Sequence, residues 1–199
     1  MSLADIRRSV ANRITSPLVG ILNRGRITPN ALTLINLALS VVAAYVIATG
    51  HFLLGGVLVL VSGLLDILDG ALARLTKKST KWGAILDSTV DRIAEAAILC
   101  GLLVWYIRDT AQGNILEIML VYAVLVGSFL ISYIRARAEG LGLQCQVGLF
   151  TRAERVIVLV IGLLINQIFI ALCVLVVFVF ITVVQRLVHL WKQARTGGD

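Results

Sequence analysis

Five carboxylates stand in stretches that are otherwise apolar: Asp66, Asp69, Asp87, Asp91 and Glu95. Asp66, Asp69, Gly70, Ala73 and Arg74 follow i, i+3, i+4, i+7, i+8, the spacing of one helical face. Gly83, Asp87, Asp91 and Glu95 follow i, i+4, i+8, i+12, again close to one face. The connection from Thr76 to Lys81 is short, so the two helices are antiparallel neighbours. Counting back from it at about 1.5 Å per residue puts Asp66 and Asp69 at depths similar to Asp87 and Asp91. Four anions gathered in this way need protons, basic partners or bound cations. Arg74 and Arg92 are two possible partners, too few for five acids. Hard divalent cations suit an all-oxygen donor set, and Mg²⁺ or Mn²⁺ suits sites that also hold phosphate. Two such ions can clamp a phosphoryl group during in-line displacement. The alternative is a salt-bridge network or proton relay without chemistry.

These acids must be positioned by helices in lipid. Of 199 residues, 59 % are hydrophobic and only 15 % charged, and the mean hydropathy is +0.96. A water-soluble domain is about 45–50 % apolar, so too few polar residues remain to cover a soluble globule of this size. Disorder, a collagen-like repeat and a disulfide scaffold are excluded by high hydrophobicity, two prolines and three scattered cysteines. Cys100, Cys145 and Cys173 form no C-x-x-C pair. A bilayer takes about 20 mostly apolar residues per helix. Six such segments are legible: 31–49, 52–75, 82–107, 115–139, 151–165 and 168–191. The last two are split at Asn166-Gln167, because one helix over the whole apolar stretch 156–184 would overshoot the hydrocarbon. No segment alternates like a barrel strand, so the expected fold is an all-α integral membrane protein with six transmembrane helices. At the centre of such a helix each carboxylate costs about 2.5–3.5 kcal/mol on insertion scales, which marks the cluster as functional.

Ahead of the spans, Leu3, Ile6, Val10 and Ile14 recur at helical spacing while Arg7, Arg8 and Arg13 take the other face. This predicts an N-terminal amphipathic helix lying in the interface plane, rather than a cleavable signal. The expected organisation is therefore an interfacial helix and connector over 1–27, a transmembrane domain over 28–192 and a polar tail over 193–199. Six spans put 17 of the 18 Lys and Arg residues on one side or in the adjacent half of a span, Arg108 alone facing the other way. By the positive-inside rule that side is cytoplasmic, so a multi-pass protein of the cell membrane with its acids near the cytoplasmic surface is expected. The net charge of +7 reads as a basic face toward anionic lipid or substrate. Nucleic acid is not expected, since no soluble domain exists to carry it.

The pattern Asp66-x-x-Asp69-Gly70-x-x-Ala73-Arg74, eight residues, Gly83-x-x-x-Asp87-x-x-x-Asp91 resembles the full signature of the CDP-alcohol phosphotransferases. The resemblance covers nearly the whole chain. It implies a metal-dependent enzyme of phospholipid biosynthesis that transfers the phosphatidyl group of a CDP-linked lipid, such as CDP-diacylglycerol, to an alcohol and releases CMP. It further implies that Asp66, Asp69 and Asp87 hold one ion. Asp87 and Asp91 would contact a second, and Asp91 would be the general base. Family members are commonly homodimers. Gly70, Ala73 and Gly83 would leave room for the nucleotide, Arg74 would neutralise a phosphate and Thr80 would donate its hydroxyl. Pro29, Asn30 and Ala31 open a helix on the same side, where free N–H groups favour phosphate, and the resemblance also puts this turn near the CDP moiety.

Five arginines are expected to border one cytoplasmic cavity beside Asp91: Arg135 and Arg137 at the end of the fourth span, Arg152 and Arg155 at the start of the fifth, and Arg186 near the end of the sixth. Arginine binds phosphate through a bidentate fork, so a phosphorylated acceptor explains them better than choline or ethanolamine would. These segments look like the phosphatidylinositol phosphate synthase branch, whose acceptor is inositol phosphate. Arg135 stands where lysine is usual in that branch, and Asn30 where aspartate is usual. A phosphatidylglycerophosphate synthase using glycerol 3-phosphate is the alternative, and a diacyl or an archaeal-type lipid donor fits equally. A transporter relaying ions through the carboxylates is the rival from another class. Against it, the acids cluster at one side and the far halves of the spans carry almost no polar path.

Overall fold

The computed structural model describes residues 29–75, 80–108, 115–145 and 147–196, and excludes the side chains of Pro29 and of residues 67–75. The expected interfacial helix over 1–27 lies outside the described residues. The described residues form six helices: α1 Pro29–Ala48, α2 Phe52–Leu75, α3 Lys81–Arg108, α4 Ile115–Gly140, α5 Arg152–Leu164 and α6 Ile168–Thr196. Each lies within a few residues of the segment read from hydropathy. Pro29 occupies the first helical position, where its missing N–H costs nothing. The sixth helix runs on through residues 192–196. There the Arg195 guanidinium sits 4.1 Å from the centroid of the Trp191 ring, one turn back, and adds a cation–π contact to the last turn.

The turns are set by residues able to adopt a left-handed conformation. At the end of α1, Gly50 has φ +86°; its N–H donates to Ile47 O at 2.9 Å and that of His51 to Val46 O at 3.2 Å. The same pair of bonds ends α5, where Asn166 takes φ 54° and the N–H of Gln167 donates to Gly162 O at 2.8 Å. Both are Schellman caps, and asparagine is the usual substitute for glycine there. The polar pair therefore breaks the long apolar stretch, and α5 is left with 13 residues.

Three helices, at Asn30–Ala48, Ile115–Gly140 and Ile168–Arg195, are long and apolar enough to cross a membrane. Within α2, Phe52–Asp66 is a further apolar stretch. Around the bundle Tyr45, Leu53, Leu64, Met119, Ile170 and Val177 are more than half exposed. An apolar exterior this extensive is not that of a soluble monomer, and lipid would cover it.

Helix α1 packs against both α2 and α3, α5 lies between α2 and α6, and α4 joins α3 to α6. The main core gathers Ile47, Val59, Leu102, Val124, Leu163 and Leu172, one from each helix. It fills the bundle away from the acids, so the charged end rests on a close-packed base. The approach of α1 to α3 depends on Gly101, where a Cβ would come within 3.0 Å of the backbone Cα and carbonyl carbon of Ala44. Small residues at such crossings let helix backbones approach in lipid. Gly101→Ala is expected to cost about 1–3 kcal/mol through overpacking. Gly140→Ala, with nothing within 4 Å of the new Cβ, is expected to be neutral. Thermal unfolding of both variants in the same detergent checks the contrast.

Candidate active site

Asp66 on α2 meets Asp87 and Asp91 on α3, with one carboxylate oxygen from each lying within 4.8 Å of the other two. Asp87 and Asp91 are one turn apart on one face of α3, and Asp66 reaches them from the neighbouring helix, so three donors on two rigid elements converge on one point. The Oδ1 atom of Asp91 is buried and faces a cationic group, Arg152 Nη1, at 2.7 Å. Three carboxylate donors at this spacing fit a hard divalent ion. Asp69, Gly70, Ala73 and Arg74 all lie on the continuation of α2 past Asp66, and their side chains are outside the described residues.

Arg152, the first residue of α5, reaches into the cluster. Its Nη1 lies 2.6 Å from Asp66 Oδ2 and 2.7 Å from Asp91 Oδ1, so one guanidinium neutralises carboxylates from two helices. Arg92 adds a looser contact, with Nη1 3.8 Å from Asp91 Oδ2. The start of α5 is fixed by a capping box, in which the Thr151 N–H donates to Glu154 Oε2 at 2.9 Å. Below Arg152 a cavity of about 520 Å³ opens between α2 and α5. Asp66, Asp91 and Arg152 line it at one end, and Leu60, Leu64, Val156, Ile157 and Val160 line the rest. A charged head leading into an apolar trough is the shape of a lipid with a phosphorylated headgroup.

Asn30, Thr80 and Gly83 also come together. A Cβ on Gly83 would lie 3.1 Å from Thr80 Oγ1 and 3.4 Å from Asn30 Oδ1, so the first turns of α1 and α3 adjoin. Thr80 has a structural task as well: its hydroxyl accepts the Gly83 N–H at 2.9 Å and caps α3. Ala31 follows on the same first turn of α1.

The five arginines do not converge as a group. Only Arg152 touches the carboxylate cluster. Arg155, 3 % exposed, forks onto Glu95, with Nε 2.8 Å from Oε1 and Nη2 3.0 Å from Oε2. Arg186, 5 % exposed, donates to Val147 O at 3.0 Å and Ile131 O at 2.6 Å, which ties the α4–α5 connection to α6. Arg135 pairs with Glu139 one turn on at 2.8 Å, and Arg137 is exposed beside it.

The comparisons with known proteins bear directly on this arrangement. Residues 26–191 match the CDP-alcohol phosphatidyltransferase family. The chain belongs to that family. It is 36 % identical over 190 residues to a phosphatidylinositol phosphate synthase of Mycobacteroides abscessus, covering 92 % of this chain and 86 % of the relative. To an archaetidylinositol phosphate synthase of Pyrococcus horikoshii it is 36 % identical over 172 residues, covering 86 % and 87 %. The crystal structure of Mycobacterium tuberculosis phosphatidylinositol phosphate synthase with CDP-DAG bound superposes with a TM-score of 0.81 at 36 % identity, covering 90 % of this chain and 94 % of that one. The same enzyme in complex with manganese and citrate gives 0.81 at 35 %, covering 89 % and 88 %. The chain is thus a membrane-embedded phosphatidyltransferase whose aspartate cluster fits a divalent metal.

One part of the site was not anticipated. Asn36, 1 % exposed on α1, accepts the Ser62 hydroxyl at 2.5 Å, and Ser62 shares a second bond of 2.8 Å with Ser40. The amide Nδ2 of Asn36 in turn lies 3.5 Å from Asp66 Oδ1. The signal was available, since Asn36 and Ser40 are one turn apart in an apolar span, and Ser62 is one turn before Asp66. Asn36→Ala leaves the Ser62 hydroxyl without its acceptor and Asp66 without an anchor on α1. A loss of about 1–3 kcal/mol is expected from the orphaned polar groups, read as a lower unfolding midpoint, together with weaker Mn²⁺ binding. Ser40→Ala is expected to have the smaller effect on Mn²⁺.

Proposed function

We propose that this enzyme transfers the phosphatidyl group of CDP-diacylglycerol to a phosphorylated polyol, inositol phosphate, giving phosphatidylinositol phosphate and CMP. The observation that carries the reading is Arg152: a cationic fork held at the carboxylate cluster, above an apolar trough, where a phosphate on the acceptor would meet it. Two relatives support the acceptor, for their names give different lipid backbones and the same inositol phosphate headgroup. The donor is supported by the trough between α2 and α5 and by the solved relative with CDP-DAG bound.

In this reading all six helices cross the bilayer and the site faces the cytoplasm, which the distribution of basic residues supports. Asp66, Asp69, Asp87 and Asp91 hold two divalent ions, Mg²⁺ or Mn²⁺, which supply charge neutralisation to the pyrophosphate. Asn30, Ala31, Thr80 and Gly83 form one wall of the nucleotide pocket, with the α1 N-terminus at Pro29 beside it; Gly70, Ala73 and Arg74 are assigned to the same pocket by the family signature. Asp91 takes the proton of the acceptor hydroxyl. The acceptor oxygen then bonds to the phosphorus that carries the diacylglycerol, the pyrophosphate P–O bond breaks, and CMP leaves with the electron pair. Arg152 orients the acceptor through its phosphate, and Arg135 and Arg137 draw the anion from the aqueous side. Arg155 and Arg186 belong to the acceptor site by holding its walls.

The test is turnover of CDP-diacylglycerol with labelled inositol phosphate, glycerol 3-phosphate, serine or free inositol. Inositol phosphate is expected to be the substrate, and turnover of an uncharged alcohol instead would overturn the phosphate reading. Activity is expected to vanish with chelator and return with Mg²⁺ or Mn²⁺. Asp91→Asn is expected to abolish turnover while CDP-diacylglycerol still binds. Arg152→Ala removes a charge-assisted contact worth about 1.5–3 kcal/mol, so the acceptor KM is expected to rise roughly ten- to a hundredfold with the CDP-lipid KM little changed.

A further inference from the structure

Glu95 and Arg155 are the most deeply buried ion pair among the described residues, with side chains 9 % and 4 % exposed. Around them stand Val59, Ile98, Val124, Leu159 and Leu175, from five helices. Such a pair is a poor source of stability, because desolvation of two ions consumes much of their attraction. This one is incomplete as well, since Arg155 Nη1 is buried and has no partner among the described residues. Its geometry suggests another use. Asp91 and Glu95 are one turn apart on α3, and Arg152 and Arg155 are one turn apart on α5. The two helices are therefore joined by two rungs, Asp91–Arg152 at 2.7 Å and Glu95–Arg155 at 2.8 and 3.0 Å. The outer rung is a single Nη1 shared between two carboxylates, on a long side chain with many rotamers. The inner rung is a planar two-bond fork that fixes direction as well as distance. A slip of α5 by one residue would turn its face by about 100° and break both rungs.

We infer that Glu95 and Arg155 are positioning residues, whose buried fork sets the rotation and depth of α5 so that Arg152 stands between Asp66 and Asp91. This rests on the reading that Arg152 meets the acceptor's phosphate. Arg152 also competes with a cation for the oxygens of Asp66 and Asp91, so its placement governs metal affinity independently of any acceptor.

The experiment is a mutant cycle between the inner rung and Arg152, with two readouts: the inositol phosphate KM and Mn²⁺ affinity by electron paramagnetic resonance without acceptor. Glu95→Met with Arg155→Leu replaces the pair by apolar side chains and is expected to keep the wild-type unfolding midpoint or exceed it. Its acceptor KM is nevertheless expected to rise about tenfold or more, and its Mn²⁺ affinity to tighten severalfold, as in Arg152→Ala. Adding Arg152→Ala to that background is expected to change neither value further, since the effect already acts through Arg152. Arg155→Lys keeps the charge but loses the fork, and is expected to move both readouts in the same directions even if the apolar pair does not fold. Equal effects of Arg152→Ala with and without the fork, or a wild-type acceptor KM and Mn²⁺ affinity in Arg155→Lys, would overturn the proposal. If the wild type does not use inositol phosphate but the Mn²⁺ cycle still shows coupling, the acceptor reading falls and the positioning role stands.

Discussion

Charge held away from water has to be cancelled where it stands, and the architecture of this protein follows from that constraint. Asp66, Asp87 and Asp91 are brought within 4.8 Å of one another by helices whose remaining surfaces are apolar. Nothing in the hydrocarbon can screen them, so each helix that approaches contributes something to the balance. Helix α5 brings Arg152 and Arg155, α3 brings Arg92, and α1 brings the amide of Asn36. The uncompensated negative charge that remains at the centre is what draws in a divalent cation. Affinity for metal is therefore a property of the whole bundle and of how nearly its own cations complete the neutralisation.

The same arrangement separates tasks along the bundle axis. Away from the acids, six helices share a close-packed apolar core, and the tight α1–α3 crossing at Gly101 keeps the α1 and α3 backbones from drifting. At the other end the backbone is opened by connections, and side chains of opposite charge face one another across a trough. The trough is continuous from the carboxylates to the lipid-facing side chains of α2 and α5. A substrate that is ionic at one end and hydrocarbon at the other finds both environments without leaving the bilayer.

Much of this was legible from residue types alone. The six helices followed from hydropathy, and the break before α6 from one polar pair, because in lipid an unpaired backbone is so costly that apolar length nearly determines element length. The carboxylate site followed from spacing, since i, i+3 and i+4 positions share a face whatever surrounds them. The arginines were harder. Arg152, Arg155 and Arg186 look equivalent as charges near one surface, yet one lies on the acid cluster, one is buried against Glu95 and one holds backbone carbonyls. Which partner an arginine meets depends on the rotation of its helix, a tertiary quantity that periodicity does not carry. Asn36 escaped notice for the same reason: its partner, Ser62, is 26 residues away.

The left-handed turn at Asn166 has a consequence for how deep the chemistry lies. By ending α5 after 13 residues, it leaves a helix about 20 Å long in a hydrocarbon layer about 30 Å thick. In the six-span reading proposed above, the polar Asn166-Gln167 turn lies at one membrane face and the opposite end of α5, where Arg152 stands, stops short of the other. On that reading the reacting phosphate would be met below the headgroups rather than above them. A donor lipid would have no need to be lifted from its leaflet, and a water-soluble acceptor would have to sink to reach it. Partial immersion of the site would then divide the labour between the two substrates: one would diffuse in two dimensions within its leaflet, while the other would make the vertical journey.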